Sequence, residues 1–282
     1  MDITCDQNRS AFYRKRLEQY LTTNVLSDNQ FLCEHYKKCR DSHIGTFYEG
    51  QLHYAGHYYD LAINKTPFRI LVIGMSYGHK PAHVSMESRY QMVAIETGLE
   101  KRFYSDGDHK DRNPHMRGTT SLLRLLLGIP LGSDYESEFF VVNKRDRCHL
   151  FDAFSLVNYL LCSAVEKENS TTDKSTKEMK ANCREHFRNC LKILEPNVVI
   201  LQGKGFKRSI ISSLDRILSW DDKGVLFDAE IMSHKFTLAL FSHPSARNYH
   251  TDNWGADDHT PYLLNVVMPS IKRIRQKILG ID

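Results

Sequence analysis

The sequence predicts an α/β fold: a three-layer α/β/α sandwich around a mainly parallel four-stranded sheet, with a helical N-terminal extension. Apolar, β-prone runs alternate with helical stretches, which is typical of a parallel sheet covered by helices on both faces. Each run ends abruptly at polar residues or glycines; the runs are 68–73, 151–157, 198–202 and 236–242. A chain of 282 residues can bury one full core. We therefore expect a single domain, with residues 1–66 as the extension and residues 67–282 as the core.

The predicted helices follow from apolar spacing and capping signals. The clearest covers 178–195, where apolar side chains share one stripe and Pro196 marks the end. Residues 7–40 read as two helices, because Ser27 and Asp28 can cap the second one. Further helices are predicted at 85–97, 119–127 and 261–279. Two polar stretches, 104–118 and 166–177, are expected to form loops.

Composition limits the classes of function. Apolar residues make up 41% of the chain and charged residues 26%, which is ordinary for a soluble globular protein. The longest apolar runs are too short to span a bilayer, and residues 1–20 lack the apolar core of a signal peptide. Seven cysteines, an odd number, argue against a disulfide framework. We therefore expect a cytoplasmic protein with no membrane partner.

The ends of the four predicted strands carry residues that favour a ligand site. The segment 74–79 follows the first strand, Asn158 follows the second, and Lys204 follows the third within a basic cluster. The fourth run ends in His243-Pro244-Ser245, where the proline removes a backbone donor and stops the strand. Because ligands of open α/β sheets bind beyond the carboxyl ends of the strands, these four ends outline one site. The net charge of +4 permits nucleic acid as the ligand without requiring it.

These strand-end motifs resemble those of the uracil-DNA glycosylase superfamily, in particular its iron–sulfur-containing branches, over about residues 30–270. His243-Pro244-Ser245 resembles the second catalytic motif, and 74–79 stands where the first, water-activating motif belongs. The segment 157–162 is similar to the family's Asn-Val-Val-Lys-Cys segment, and 178–203 resembles its cysteine-bearing helix and following strand. The resemblance implies a monofunctional DNA glycosylase that flips out a non-canonical base and hydrolyses its N-glycosidic bond. It implies DNA as the partner, and no obligate protein partner is evident.

The resemblance also implies roles for individual residues. His243 would donate a hydrogen bond to the departing base. Asn158 would read the base edge, with a lining of Gly74, Met75 and Tyr77. Without the family context, a satisfied histidine at a strand end is the favoured reading of His243, whereas Asn158 reads equally as a turn or capping residue.

The first motif departs from the family pattern. The superfamily places Asp, Asn or Glu just after the glycine, whereas this chain has Met75 and Ser76. Ser76 can position water but is a poor base, and His79 can accept a proton near neutral pH. Three aspartates on the polar loop are alternatives: Asp106, Asp108 and Asp111. Glu96 is expected on a solvated helix face.

Four cysteines match the family's [4Fe–4S] ligands: Cys33, Cys39, Cys162 and Cys183. The first pair has the spacing C-x5-C where the family has C-x2-C, and the second pair is separated by the polar insert. A zinc site, or buried thiols with no metal, are the alternatives. A cluster would be structural, tying the N-terminal segment to the core.

The segment after the catalytic histidine stands where this family presses a loop into duplex DNA. Arg247 could meet phosphate, and Tyr249 could fill the space left by the flipped nucleotide. An ordinary surface loop is the alternative reading. The DNA-binding residues implied are Lys204, Ser245, Arg247, Asn248 and Tyr249.

The polar loop 104–118 bears on the choice of base. It carries more hydrogen-bonding side chains than a plain pyrimidine needs, including His115. We therefore expect a base larger than uracil, for example glucosylated hydroxymethylcytosine in phage DNA, which would make the protein an antiviral defence enzyme. Excision of uracil or another deaminated base in DNA repair is the alternative function. Non-catalytic recognition of modified DNA and hydrolysis of small nucleosides are the remaining ones.

Overall fold

A computed structural model describes residues 1–28, 30–78, 81–168, 170, 173–221 and 223–281. The helices in these ranges are α1 (Gln7–Asn24), α2 (Tyr36–Asp41), α3 (Met86–Tyr90), α4 (Pro114–Leu126), α5 (Lys177–Leu194), α6 (Lys207–Ile211) and α7 (Met268–Leu279). π-Helical turns continue α3 over Gln91–Glu100 and precede α7 over Leu263–Val267, and short 3₁₀ turns cover Glu136–Glu138, Leu150–Asp152 and Lys204–Phe206. The continuous helix 86–100 is called the pocket helix below. No helix within the described ranges is both long enough and apolar enough to cross a membrane.

The strands in the same ranges form one large sheet and four small ones. Small sheets are made by β1 (Ile3–Cys5), β2 (Leu26–Ser27), β3 (Gln30–Phe31), β4 (Thr46–Tyr48), β6 (Leu61–Ile63), β7 (Thr66–Pro67), β9 (Phe139–Val142), β10 (Asp146–His149) and β12 (Ser163–Val165). The large sheet holds β5 (Tyr54–Ala55), β8 (Ile70–Gly74), β11 (Ser155–Asn158), β13 (Val198–Gln202), β14 (Arg216–Trp220), β15 (Leu226–Ile231) and β16 (His234–Phe241).

The large sheet corrects the predicted strand number. Its order is β14-β15-β16-β13-β8-β11-β5, so it has seven strands where four were predicted. The four central strands are parallel, and they correspond to the four apolar runs of the sequence. The outer strands pair antiparallel, which makes the sheet mixed. The outer strands escape sequence analysis because β5 has two residues and β14 is largely exposed.

Alternate residues of the central strands point to opposite faces of the sheet, and each face has its own apolar core. Ile70 and Val72 pack with α4 and α7 on one face, whereas Leu71 and Ile73 pack with α1 and α5 on the other. All five residues of β8 are buried, as both faces of a central parallel strand require. Helices therefore cover both faces of the sheet.

The N-terminal region is not helical throughout, which corrects the prediction for 7–40. The first helix ends at Asn24, and the chain then forms the β2–β3 hairpin before the short α2. Residues at the start of the chain join strands much further along: Ile3 pairs with Ile63 in an antiparallel ladder. The side chains of Leu17 and Leu21 lie in the core with α5. This segment is therefore packed into the same body as the sheet.

Two helix boundaries matter for the site. The helix α5 matches its prediction to within a residue, because Thr176 caps its first turn and Glu195 ends it in a left-handed conformation. The helix α4 begins at Pro114, five residues before the predicted start, since the Asn113 side chain accepts a hydrogen bond from the Met116 N–H. The last third of the predicted polar loop is thus helical, and this places His115 in the first turn of α4.

Candidate functional site

The carboxyl ends of β8, β11 and β16 meet at one cavity of about 740 Å³. One wall comes from the segment after β8, a second from the pocket helix, and a third from the start of α4. The cavity brings together seven of the residues singled out in the sequence: Gly74, Met75, Ser76, Tyr77, Asn158, His243 and Ser245. Their meeting follows from the parallel register of the central strands, which ends them at one edge.

Gly74 and Asn158 are partners in the β8–β11 ladder, and their contact explains the glycine. A Cβ atom at position 74 would come within 2.6 Å of the Asn158 Oδ1 atom. The Asn158 backbone N–H lies 3.4 Å from Nδ1 of the buried His53, while its side-chain amide lines the cavity. Only a residue without a side chain therefore leaves the amide in its place against β8.

The hydrogen bonds of His243 define its tautomer. Its Nδ1 atom accepts a hydrogen bond of 3.2 Å from the Ser245 backbone N–H, and the Ser245 hydroxyl lies 2.8 Å from the same atom. Because a backbone N–H can only donate, Nδ1 carries no proton, and in the neutral ring the proton resides on Nε2. Partial burial lowers the pKa of His243 below its ordinary value, which favours that neutral form. His243 therefore presents Nε2–H as a hydrogen-bond donor.

His115 stacks on His243, with 5.1 Å between the ring centroids and 26° between the ring planes. Burial, followed by the charges of His243 and Arg89, lowers the pKa of His115 to about 3. Its Nδ1 atom is buried and has no hydrogen-bond partner within the described residues. The sequence placed His115 among the hydrogen-bonding groups of a loop, but nothing in it indicated this stacking. A neutral ring there holds the His243 imidazole in place without adding charge.

Tight packing between α4 and the segment after β16 fixes both histidines. A Cβ atom at Gly118 would lie 2.7 Å from the Pro244 Cβ atom and 3.2 Å from the Trp254 ring. Gly255 meets Pro114 closely enough that a Cβ atom would overlap its carbonyl oxygen. The Trp254 Nε1–H donates to the carbonyl of Ser242 at 2.7 Å. These contacts leave the His243 backbone little freedom to move.

The pocket helix supplies a polar wall that the sequence did not indicate. Its cavity-lining positions are spaced like one helix face: Arg89, Met92, Val93, Glu96 and Thr97. Glu96 is exposed, as expected for a solvated helix face, and it also lines the cavity. The available signal for this wall was a polar residue repeated at helical spacing among apolar ones. The sequence alone does not say which face of a helix meets a ligand.

Arg89 is the most unusual side chain of this wall. It is 5% exposed, and its guanidinium lies 4.7 Å above the Tyr77 ring. Its Nε atom is buried without a hydrogen-bond partner within the described residues, and no ion pair joins it to a described carboxylate. Burial lowers the pKa of Arg89 to about 10, so the group stays charged at neutral pH. A buried cation with a free donor is suited to an acceptor on a ligand.

The polar loop contributes less to the cavity than the sequence indicated. Asp106 bonds to His109, and Asp111 pairs with Arg117 at 3.1 Å. Arg112 is fully buried and turns away from the cavity toward Glu138. Of the residues 104–118, those that line the cavity are Asn113, Pro114, His115 and Met116. The aspartates and arginines of this loop therefore do not line the cavity, contrary to the expectation that the loop as a whole supplies hydrogen bonds to a base.

The groups that could activate water also differ from the prediction. His79 lies outside the described residues, and Asp106, Asp108 and Asp111 are not among the cavity-lining residues. Ser76 lines the cavity, as predicted for a residue that positions water. Glu96 is an exposed carboxylate that lines the same cavity, and no ion pair or hydrogen bond joins its side chain to another described residue. A carboxylate can accept the proton that a serine hydroxyl cannot.

Most of the predicted DNA-binding residues lie outside the cavity. Lys204 pairs with Asp252, with 2.5 Å between Nζ and the carboxylate oxygen. The Asn248 side chain accepts from the backbone N–H groups of His250 and Thr251 and so shapes a turn. Three further residues belong to the exposed segment after β16: Ser245 lines the cavity, Arg247 is exposed, and the Tyr249 hydroxyl donates to Asp257.

The four predicted cluster ligands converge in the fold. Burial, and then the neighbouring thiols of Cys39 and Cys33, raise the pKa of Cys183 to about 12. The pKa of Cys162 is raised by burial and by the other three thiols. The Asn182 amide donates to the Cys39 sulfur at 3.3 Å, and the Cys33 sulfur lies 3.8 Å from the His186 Nε2 atom. All seven cysteines are free thiols. Over 1–28, 30–78, 81–168, 170, 173–221 and 223–281, no three metal-ligating side chains are grouped around one ion position.

No family model matches the chain, and none of the curated proteins matches it.

Proposed function

We propose that this chain is a monofunctional DNA glycosylase, a hydrolase that flips a non-canonical base out of DNA and cleaves its N-glycosidic bond. The observation that carries the proposal is the neutral His243, whose Nε2–H donor stands at the rim of the cavity that the Asn158 amide lines. A donor and an amide around one pocket suit a planar base with carbonyl and amino groups on its edge. The strand-end motifs that resemble the uracil-DNA glycosylase superfamily support the same reading.

The proposed chemistry follows from where charge develops. The bond between the sugar C1′ and the base nitrogen breaks with its electron pair moving to the base, and the Nε2–H of His243 stabilises the resulting negative charge. The amide of Asn158 both donates to and accepts from the base edge, which orients it. The oxygen of a water held by Ser76 then bonds to C1′, and Glu96 takes its proton. The departed base anion then takes up a proton, Glu96 releases the one it accepted, and the products are the free base and an abasic site.

The polar wall supports a base larger than uracil. Arg89, Lys101 and Asn113 can donate to a ligand, while Glu96 and Asp173 can accept, and all five line the cavity of about 740 Å³. Side chains of both signs around one cavity suit a neutral group rich in hydroxyls, because each hydroxyl both donates and accepts. Glucosylated hydroxymethylcytosine in phage DNA is the substrate proposed on this ground, and its excision would be antiviral defence.

The deciding experiment offers the protein glucosylated phage DNA beside uracil-containing DNA and counts abasic sites. Abasic sites in the glucosylated DNA, with loss of that activity in Arg89→Met, are expected. Efficient excision of uracil with glucosylated DNA untouched would instead indicate deaminated-base repair. Binding of modified DNA without any base release would indicate a recognition protein. Because Lys101 lines the cavity, borohydride is added in parallel, and a trapped covalent complex would contradict the monofunctional assignment.

A [4Fe–4S] cluster is part of this proposal, with Cys33, Cys39, Cys162 and Cys183 as its ligands. It is supported by the nearness of the four thiols, since the charges of Cys183, Cys33 and Cys39 raise the pKa of Cys162 and those of Cys39 and Cys33 raise the pKa of Cys183. Such a cluster would be structural, because three ligands lie on or near α2 and α5 and not in the cavity. One zinc ion is the alternative occupant. We also propose a cytoplasmic location, where seven thiols stay reduced.

A further inference from the structure

A second feature of the carboxyl edge lies well away from the cavity. Trp220 ends the outermost strand β14 and is 46% exposed, although it is one of the largest apolar side chains of the protein. The β14–β15 register shifts between Ile217 and Ser219, so an extra residue bulges out there. The bulge turns Trp220 onto the same face as Ile217, where its ring lies 4.4 Å from the ring of Phe227.

One lysine lies against this indole, and further cations line a groove beside that lysine. The Nζ atom of Lys207 lies 4.9 Å from the centre of the Trp220 ring. Lys207 and Arg208 line a shallow groove of about 570 Å³ together with Lys204. Within the described residues, neither Lys207 nor Arg208 pairs with a carboxylate, whereas Lys204 pairs with Asp252. An exposed aromatic ring beside unpaired cations is the combination that binds single-stranded nucleic acid, through base stacking and phosphate contacts.

The position of Trp220 in the sheet relates it to the cavity. Trp220 pairs with Phe227 of β15. The neighbour of Phe227 in β15, Leu226, pairs with Ala239 near the carboxyl end of β16. The indole therefore stands at the same edge of the sheet as the cavity. Four strand spacings separate β14 from β8, which amounts to about 19 Å. The groove of Lys204, Lys207 and Arg208 lies after β13, between the two.

We propose that Trp220, Lys207 and Arg208 form a second DNA contact, which holds an unpaired stretch of the strand whose target nucleotide occupies the cavity. The proposal rests on the proposed function, since that makes DNA the polymer bound. A base stacks on the indole, and Lys207 moves from the ring to a phosphate. Stacking needs a free base face, so the contact favours single-stranded or frayed DNA over an intact duplex. About 19 Å corresponds to about six stacked nucleotides at ~3.4 Å each, and to fewer in an extended strand.

Tryptophan fluorescence tests this contact without any need for excision. The protein has two tryptophans, and Trp254 is fully buried. A change in the fluorescence typical of a solvent-exposed indole therefore reports on Trp220. An oligothymidylate with no target base is titrated at low salt. We expect quenching in the wild type, and binding of Trp220→Ala weaker by about 5- to 150-fold, the range for losing one base–aromatic stack. Trp220→Phe should bind nearly as well as the wild type but give no quenching. The double variant Lys207→Ala/Arg208→Ala should show a shallower dependence of affinity on salt.

A matched control distinguishes base stacking from non-specific apolar binding. Leu218 is 44% exposed on the same strand, and Leu218→Ala should leave oligothymidylate affinity unchanged. Equal quenching by inorganic polyphosphate, or wild-type affinity in Trp220→Ala, would overturn the contact. Equal loss of affinity in Leu218→Ala and Trp220→Ala would point to an apolar docking surface for a protein and would also overturn it. If the protein releases its base but Trp220 fluorescence does not change on binding DNA, this contact alone is contradicted. If the fluorescence is quenched but no base is released, the proposed function alone is contradicted.

Discussion

The tautomer of His243 determines what this side chain can contribute to bond cleavage. The N–H of Ser245 occupies Nδ1, so the donor is Nε2–H, and the neutral form is maintained by the lowered pKa. A histidine free to take either tautomer would present a lone pair to the base about as readily as a proton. The Ser245 backbone thus does the positioning, and the side chain of His243 makes the contact.

Replacing His243 by alanine should remove that donor and leave the fold intact, since the side chain stands at the exposed rim. We expect base release to fall by about 10²- to 10³-fold, the usual loss for one oxyanion donor, with DNA affinity little changed. Single-turnover release of base and a binding titration measure the two effects. Ser245→Ala is the control, because the backbone N–H that sets the tautomer remains. Turnover near wild type in His243→Ala would remove the residue from the mechanism.

The pocket helix depends on a buried charge pair at its far end. The guanidinium of Arg112 donates to the carbonyls of Thr97 and Gly98 at 2.8 and 2.9 Å, and it pairs with Glu138 at 2.7 Å. Both side chains are fully buried, and His149 bonds to the second carboxylate oxygen at 3.0 Å. Burial opposes ionisation of Glu138, but the hydrogen bonds from His149 and Arg112 outweigh it and lower the pKa of this carboxyl. Arg112, held by Glu138, thus provides hydrogen-bond donors for two carbonyl groups near the carboxyl end of the pocket helix.

Glu138→Gln should destabilise the protein strongly, because it leaves a buried guanidinium without its counter-charge. A loss of about 3–5 kcal/mol in the free energy of unfolding is expected. Urea denaturation followed by circular dichroism measures it. Asp134→Asn is the control, because it breaks an ion pair with Arg124 in which the Asp134 carboxylate is exposed. This substitution should lower the free energy of unfolding far less. Similar losses in the two variants would contradict the role given to burial.

The cysteine-bearing elements make a separate prediction about metal. Protein purified without oxygen should be brown and hold about four irons per chain if the four thiols act together. Cys183→Ser should lose colour and iron, whereas Cys148→Ser, at a buried cysteine outside the set, should keep both. Iron analysis and the visible absorption spectrum give the readout. One zinc per chain would support the alternative site, and stable protein without metal would reject the cluster.

At the scale of the whole molecule, buried neutral histidines make stability depend on pH. Burial lowers the pKa of both His53 and His115 from 6.5 to about 3. Between these values the unfolded chain takes up protons that the folded chain does not. Folding stability is therefore full above pH 6.5 and declines as the pH falls toward 3.

The free energy of unfolding should fall by about 1.4 kcal/mol per pH unit for each of these two histidines. Urea midpoints between pH 6.5 and 5 measure the slope before most carboxylates titrate. His53→Gln should remove one histidine's share while leaving an acceptor near the Asn158 N–H. A slope unchanged by that substitution would mean that His53 is protonated in the folded protein.

Local patterns in the sequence determined the central elements. The run 198–202 is a buried strand in the structure, and α5 begins and ends where its apolar stripe and Pro196 indicate. Three of the four strand ends, at Gly74, Asn158 and His243, meet at one cavity as expected, whereas Lys204 after the third strand lies outside it. Periodicity, capping and the common edge of parallel strands are properties of neighbouring residues, so they can be read without the fold.

Contacts between distant segments decided the rest. The two-residue β5 and the bulged, exposed β14 acquire their strand character from the strands beside them, so the sheet has seven strands where local pattern indicated four. Arg89 and His115 belong to the cavity because the pocket helix and α4 are packed across from β8 and β16. Arg112, which belongs to the polar loop 104–118 expected to supply hydrogen bonds to a base, instead bonds in the core to Glu138, which lies 26 residues away. Which face of a helix meets a cavity, and which charge finds a buried partner, depends on tertiary packing, and no local pattern encodes it.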